Sequence, residues 1–176
     1  MKNTKYIEIF KHVSYCLVFI LLYVIQNIPG LFVIGGVRPA LVLPAAIALA
    51  MHEGEFYGGI YGAVAGLFCD MDGFLAFGFN GFITCVYCIA VGLTIIYLLR
   101  CNLFSCVLFV FIFSLIQGSL EFLFLYGMWG YADVWKIYAN HTLPTVLYTT
   151  AVSPLLFYPM RRLFAFFEKL LENRPF

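Results

Sequence analysis

The chain has 176 residues, of which 64% are apolar, 19% aromatic and only 11% charged, and its formal net charge is +1. A water-soluble domain has about 45–50% apolar and about 25% charged residues, so the composition excludes an ordinary soluble globule. It also excludes an intrinsically disordered chain, which needs the opposite balance, and a basic surface for nucleic acid.

Long uncharged stretches separate the few charged residues. These stretches cover residues 13–37, 39–51, 56–69, 73–99, 101–120 and 137–160. About 20 helical residues, each rising about 1.5 Å, cross the hydrocarbon core of about 30 Å. Residues 39–51 and 56–69 fall short of that length, and the other four stretches reach it. The sequence therefore predicts an all-α polytopic membrane protein with a single membrane domain over residues 1–176.

Six transmembrane helices are predicted in this domain. Their approximate bounds are 13–34, 38–52, 55–70, 75–99, 103–126 and 142–160. The second helix opens at Arg38-Pro39, since proline is tolerated at the first helical position, and His52-Glu53-Gly54-Glu55 turns the chain into the third. Because irregular backbone at membrane depth has to be sheltered by protein, these two short helices are expected inside the bundle. A last helix at 161–172 is expected at the headgroup boundary.

The orientation follows from the basic residues, because Lys and Arg in short loops favour the cytoplasm. With both termini in the cytoplasm, only Arg38 and Lys136 lie outside. The eight basic residues placed inside are Lys2, Lys5, Lys11, Arg100, Arg161, Arg162, Lys169 and Arg174. An aromatic belt at the outer interface is then expected from Trp129, Tyr131, Trp135 and Tyr138.

Glycine recurs every four residues along the third predicted helix, at Gly54, Gly58, Gly62 and Gly66. Residues four apart share a helix face, so these glycines form a groove without side chains. Small residues at this spacing let helix backbones approach closely in a membrane. The groove is expected to serve packing within the bundle, and the alternative is an interface with a second protein.

Two carboxylates are expected near the outer side of the membrane. Glu121 lies well inside the fifth helix with Gln117 one turn earlier, and an ionisable residue at that depth should face the bundle with a partner. We expect a structural polar cluster of Arg38, Asp70 and Glu121 that holds three helices together. The alternatives are that Glu121 reaches interfacial water, or that Asp70 and Asp72 hold a divalent cation, for which no third ligand is near in sequence.

The cysteines and histidines do not predict an active site. Cys85 and Cys88 have the spacing of a redox motif but lie in an apolar helix, where thiols behave as small apolar groups. The three histidines are far apart, and the sequence contains no H-E-x-x-H zinc motif, no G-x-S-x-G elbow and no P-loop. An enzyme, a cofactor and a metal are therefore not expected.

The last predicted helix combines prolines with a polar face. Thr145, Thr149 and Ser153 recur every four residues and can bond to neighbouring helices or to their own backbone carbonyls. Prolines inside a helix bend it, so we expect a bent helix that either lines a cavity or packs around a neighbour. These prolines are Pro144, Pro154 and Pro159.

Three stretches together resemble the rod shape-determining protein MreD family. Arg38-Pro39-Ala40-Leu41-Val42-Leu43 resembles the R-P-(D)-L-L-L start of that family. Gly66-Leu67-Phe68-Cys69-Asp70 and the segment around Asn80 resemble its G-L-L-x-D stretch and the G-x-(N/H)-A/G-L that follows. Leu143-Pro144 and residues 153–163 resemble its closing L-P…(A)-P-L-L-Y-P-L-x-R-R-L. Ala40 stands where an acidic residue is frequent in the family, and Asp72-Gly73 replaces a more usual Ser/Gly-rich turn.

The resemblance implies a non-enzymatic scaffold of the bacterial cell-elongation machinery, located as a multi-pass protein in the cytoplasmic membrane. Members of the family bind MreC and, through it, MreB and the enzymes of peptidoglycan synthesis. They are similar in fold to the six-helix substrate-binding subunits of energy-coupling-factor transporters. The alternative function is therefore a vitamin-binding transporter subunit, which requires an outer cavity lined by aromatic and polar groups. Membrane lipids are the other partner expected.

Overall fold

The structure is a computed structural model that describes residues 2–30, 37–71, 77–125, 136 and 138–172, with side chains between residues 6 and 171 of these ranges. The described residues form helices and no strand, so the predicted all-α class is confirmed. The helices are α1 (Lys2–Asn27), α2 (Val42–Asp70), α3 (Phe79–Tyr97), α4 (Leu103–Leu125) and α5 (Leu143–Glu172), and a π-helix (Tyr138–Thr142) leads into α5. Asp72, Trp129, Tyr131 and Trp135 lie outside the described residues.

Three stretches within the described residues are long and apolar enough to cross a membrane. They are Tyr6–Asn27, Phe79–Tyr97 and Leu103–Leu125. Length and composition therefore support a membrane protein.

Helix α2 is a hairpin rather than one straight rod. Gly54 interrupts it with φ +83° and ψ −174°, a backbone conformation that side chains other than glycine rarely adopt. A Cβ added at Gly58 would lie 2.8 Å from the Cβ of Ala50, although positions eight apart in a straight helix are separated by about 12 Å. Residues 42–53 (α2a) and 55–70 (α2b) therefore lie side by side, joined at the turn that the sequence predicts.

Helix α2a forms the centre of the molecule. Every residue from Val42 to Met51 is buried, and four of these residues are alanines that let neighbouring helices approach closely. The expectation that the two short segments lie inside the bundle holds for α2a. It is wrong for α2b, which buries one face but exposes Phe56, Ile60 and Leu67.

The other helices surround this centre. Among the described helices, α3 has its most extensive contact with α2, and α4 and α5 pack on each other and on α2. Helix α1 is attached by one face, on which Tyr15 and Phe19 are fully buried, with the Tyr15 ring 5.4 Å from that of Tyr61. Its other face, which includes Leu17 and Val24, is exposed and apolar.

Helix α5 continues without interruption past residue 160, the predicted boundary between a transmembrane helix and an interfacial helix. In the later part, Phe167 is buried and its ring lies 5.9 Å from those of Phe10 and Tyr15. The end of α5 thus packs on the start of α1. The position of residues 161–172 at a membrane surface stays a prediction.

Candidate functional site

Asp70, the last residue of α2, caps the start of α3. Its Oδ2 accepts hydrogen bonds from the backbone N–H groups of Gly78 (2.9 Å) and Gly81 (3.1 Å), and its Oδ1 accepts one from that of Asn80 (3.0 Å). N–H groups in the first turn of a helix have no partner within the helix, and the residue at the cap position, Gly78, has no side chain to supply one. The carboxylate supplies these acceptors from a neighbouring helix, and the positive end of the α3 dipole stabilises its charge.

Helix α4 joins the same site through Gln117. The Nε2 of Gln117 donates to Asn80 Oδ1 at 3.2 Å and to Glu121 Oε1 at 3.1 Å. Asp70, Asn80, Gln117 and Glu121 are called the Asp70 cluster below. The cluster ties α2, α3 and α4 together, and it contains two of the three residues that the sequence analysis expects there.

Arg38, the third expected member, lies elsewhere. Its side chain is exposed, and among the described residues it forms no ion pair with Asp70 or Glu121. The charge of Asp70 is balanced by backbone N–H groups instead. The chain that follows Arg38 is held by side chains of other helices: Gln26 Oε1 accepts the N–H of Leu41 at 2.7 Å, and Thr149 Oγ1 accepts that of Ala40 at 3.1 Å.

The predicted glycine groove is filled by other parts of the chain. A Cβ at Gly66 would lie 2.4 Å from the backbone oxygen of Asn80, and one at Gly62 would lie 2.8 Å from the sulfur of Cys88, both on α3. Gly58 faces α2a, and Gly54 forms the turn. These contacts favour packing within the molecule over an interface with a second protein.

The polar face of α5 serves both uses that the sequence allows. Thr149 accepts a hydrogen bond from the chain before α2, as described above, whereas Ser153 forms a hydrogen bond within its own helix. Pro154 has no N–H for the carbonyl oxygen of Thr150, and Ser153 Oγ donates to that oxygen at 2.8 Å. Of the remaining prolines in the motifs, Pro39 lies before α2, Pro144 lies in the first turn of α5, and Pro159 lies on an exposed part of α5.

A second, partly buried polar group lies at the other end of α2b and is not predicted from the sequence. Lys11 Nζ donates to Glu53 Oε2 at 2.8 Å, and Tyr15 Oη donates to Glu53 Oε1 at 2.9 Å. The side chains of Lys11 and Glu53 are 13% and 6% exposed. The Lys11 ammonium also lies 5.3 Å from the centre of the Phe164 ring, a cation–π contact. This Glu53 cluster (Lys11, Tyr15 and Glu53) fixes α1 to the hairpin turn of α2.

One thiol lies beside an imidazole. Cys101 Sγ, between α3 and α4, is 3.5 Å from His52 Nδ1, and the His52 ring stacks on Phe164. Burial raises the pKa of the Cys101 thiol above its usual value, and the charge of Arg161 opposes this rise without cancelling it. A reactive cysteine needs the opposite shift, because the thiolate is the nucleophile. The pair therefore lacks the electrostatics of a catalytic dyad.

None of the six cysteines, all of which lie in the described ranges, forms a disulfide bond. In the part of the chain that the structure describes, no three His, Cys, Asp or Glu side chains gather into a group that could hold a metal ion. Comparisons with known proteins found no matching family model, no matching curated protein and no matching solved structure.

Proposed function

We propose that the chain is a non-enzymatic membrane scaffold of the bacterial cell-elongation machinery, similar to MreD, and that it binds MreC. Through MreC it would connect to MreB and to the enzymes of peptidoglycan synthesis. The proposal rests on the three stretches that resemble the MreD family and on the use to which this chain puts their residues.

The observation that carries the proposal is the role of Asp70. The acidic residue of the G-L-F-C-D stretch is engaged with three backbone N–H groups of α3. Gly66 of the same stretch lies against the backbone of α3, and Asn80 connects it to α4. The residues of the resemblance thus build a frame of helices, as expected of a scaffold, and the outer faces stay apolar for lipid and partner helices.

The proposed topology has six crossings with both termini in the cytoplasm, as in the substrate-binding subunits of energy-coupling-factor transporters. The hairpin at Gly54 supports it, because α2 then supplies two crossings. Side-chain contacts also join residues that this topology places on the same side. Such pairs are Lys11 with Glu53 and His52 with Cys101 on the inner side, and Gln26 with Leu41 and Asn80 with Gln117 on the outer side.

Depletion of the protein in its rod-shaped host tests the proposed function. We expect rounded, swollen cells, restored by the wild-type gene, and we expect MreC to co-purify with the affinity-tagged full chain in mild detergent. Normal rods together with tight binding of a vitamin to the purified protein would contradict the scaffold and favour the transporter subunit. Labelling of single cysteines placed at the two termini tests the topology, and a terminus labelled from outside intact cells would contradict it.

A further inference from the structure

Three buried polar atoms near the Asp70 cluster have no hydrogen-bond partner. They are Thr84 Oγ1, Ser114 Oγ and Gln117 Oε1. Their residues are 0%, 8% and 6% exposed. A polar atom buried without a partner costs a few kcal/mol, and more at membrane depth where water is scarce. Three such atoms on two paired helices indicate that the space between these helices holds a group from outside the chain.

The pairing of α3 with α4 brings the residues of these atoms to one level of the two helices. Asn80 bonds to Gln117, and Tyr87 Oη donates to the carbonyl oxygen of Phe109 at 2.7 Å, so the two helices run antiparallel. Thr84, one turn after Asn80, therefore lies opposite the turn that contains Ser114. Ser114 in turn shares a face with Gln117, three residues later. The three residues therefore lie within about one helical turn of one another along the paired helices α3 and α4.

The hydrogen bonds of Gln117 determine what this space requires. Its Nε2 is used by two acceptors, Asn80 Oδ1 and Glu121 Oε1. Turning the amide over would place Oε1 against both of these oxygens, so the nitrogen has to face them. The Oε1 of Gln117 then points elsewhere and needs a donor or a cation.

The charges around the site are also incomplete. Asp70 is compensated by three N–H groups, whereas Glu121 is hydrogen-bonded by the neutral side-chain amides of Gln117 and Asn80. No Lys, Arg or His side chain forms an ion pair with Glu121 among the residues that the structure describes. Among the described residues, no cation therefore lies beside this carboxylate, and three buried oxygens on the same two helices are unused.

We infer that this place binds one sodium ion, held between α3 and α4 by oxygens of Thr84, Ser114, Gln117 and Glu121. Hydroxyl, amide and carboxylate oxygens are ligands for hard cations. A single carboxylate among neutral oxygens matches the charge of a monovalent ion. The ion would supply the missing partner of Gln117 Oε1 and a positive charge next to Glu121.

Thermal unfolding of the purified full chain in detergent tests this inference. Tm is measured as NaCl replaces choline chloride at constant ionic strength, with KCl as a second comparison. A ligand that binds only the folded state raises Tm in a saturable way. We expect such a rise with Na⁺, a smaller rise or none with K⁺, and about one Na⁺ bound per chain by isothermal titration.

Matched variants locate the site. Thr84→Val and Ser114→Ala each remove one proposed ligand, and each should raise the half-saturating Na⁺ concentration about tenfold. Thr94→Val on α3 and Ser105→Ala on α4 are the controls, because these hydroxyls already donate to the backbone oxygens of Ala90 and Arg100. The controls should leave the half-saturating concentration unchanged.

Two results would overturn the inference. The first is a wild-type Tm that is the same in NaCl and choline chloride, which would assign the space to water or to a proton on Glu121. The second is a sodium response that Thr84→Val and Ser114→Ala leave unaltered, which would place the ion elsewhere. Because the two variants are on different helices, either one suffices if the other fails to fold.

Discussion

Asp70→Ala removes the acceptor of three backbone N–H groups at the start of α3. Two of these bonds, to Asn80 and Gly81, are buried, and the third, to Gly78, is partly buried. A hydrogen bond to a charged group contributes about 1.5–3 kcal/mol. The two buried bonds alone give an expected loss of about 3–6 kcal/mol in the free energy of unfolding. Asp70→Asn keeps one acceptor oxygen and should fall between the alanine variant and the wild type.

The assay is unfolding in mixed dodecyl maltoside and dodecyl sulfate micelles, followed by the circular dichroism of the helices. Glu8→Ala is the control, because Glu8 is an exposed carboxylate on α1. An exposed substitution of this kind changes the free energy of unfolding by about 0.5 kcal/mol or less. A loss in Asp70→Ala no larger than in Glu8→Ala would refute the role of Asp70 as the cap of α3. If Asp70→Ala yields no folded protein, the comparison is made with Asp70→Asn.

Three further predictions concern packing, the proline in α5 and the half-buried thiol. Gly66→Ala should lower Tm strongly, since its Cβ would lie 2.4 Å from a backbone oxygen of α3. Gly81→Ala should lower Tm less, because its Cβ would lie 3.2 Å from a leucine side chain and 3.6 Å from the nearest backbone oxygen. Equal effects would contradict the close contact at Gly66. Ser153→Ala should lower the free energy of unfolding by about 1 kcal/mol, because it leaves a carbonyl oxygen without a donor. This loss should be smaller in a Pro154→Ala background, where a backbone N–H is restored. An equal loss in both backgrounds would contradict the role of Ser153 as the donor to that oxygen. In a variant that keeps Cys101 as its single cysteine, the rate of alkylation by iodoacetamide is measured against pH. Its midpoint should lie above that of the unfolded chain, because burial raises the pKa of this thiol and only the thiolate reacts. A midpoint below that of the unfolded chain would contradict this prediction.

The spacing of charges and glycines predicts much of the helical arrangement. Charges interrupt the apolar stretches where helices end, so the turn at Gly54 and the end of a helix at Asp70 can be located from the sequence. The four-residue period of Gly58, Gly62 and Gly66 predicts close contact between backbones, because it depends only on side-chain size and helical geometry. These features are local properties of the chain.

The partners of the charged residues could not be predicted in the same way. The attraction of opposite charges at one depth predicts Arg38 beside Asp70, yet backbone N–H groups compensate Asp70 and any sequence can supply these. The contact of Lys11 with Glu53 joins residues 42 positions apart. Its only signal in the sequence is that both residues are expected on the same side of the membrane. The hydrogen bond from Ala40 to Thr149 spans 109 positions and has no signal beyond the polar face of α5.

The anchored ends of α2b have a consequence for the surrounding lipid. The Glu53 cluster lies just before the start of α2b, and Asp70 lies at the end of α2b. The sixteen residues of this helix rise only about 24 Å. In the proposed six-crossing topology this is about 6 Å less than an average hydrocarbon core. Helix α2b exposes Phe56, Ile60 and Leu67 along its outer face, so neighbouring acyl chains would have to shorten to match it. Such hydrophobic mismatch costs a fraction of a kcal/mol per Å and would concentrate the protein in thinner or more compressible patches of bilayer.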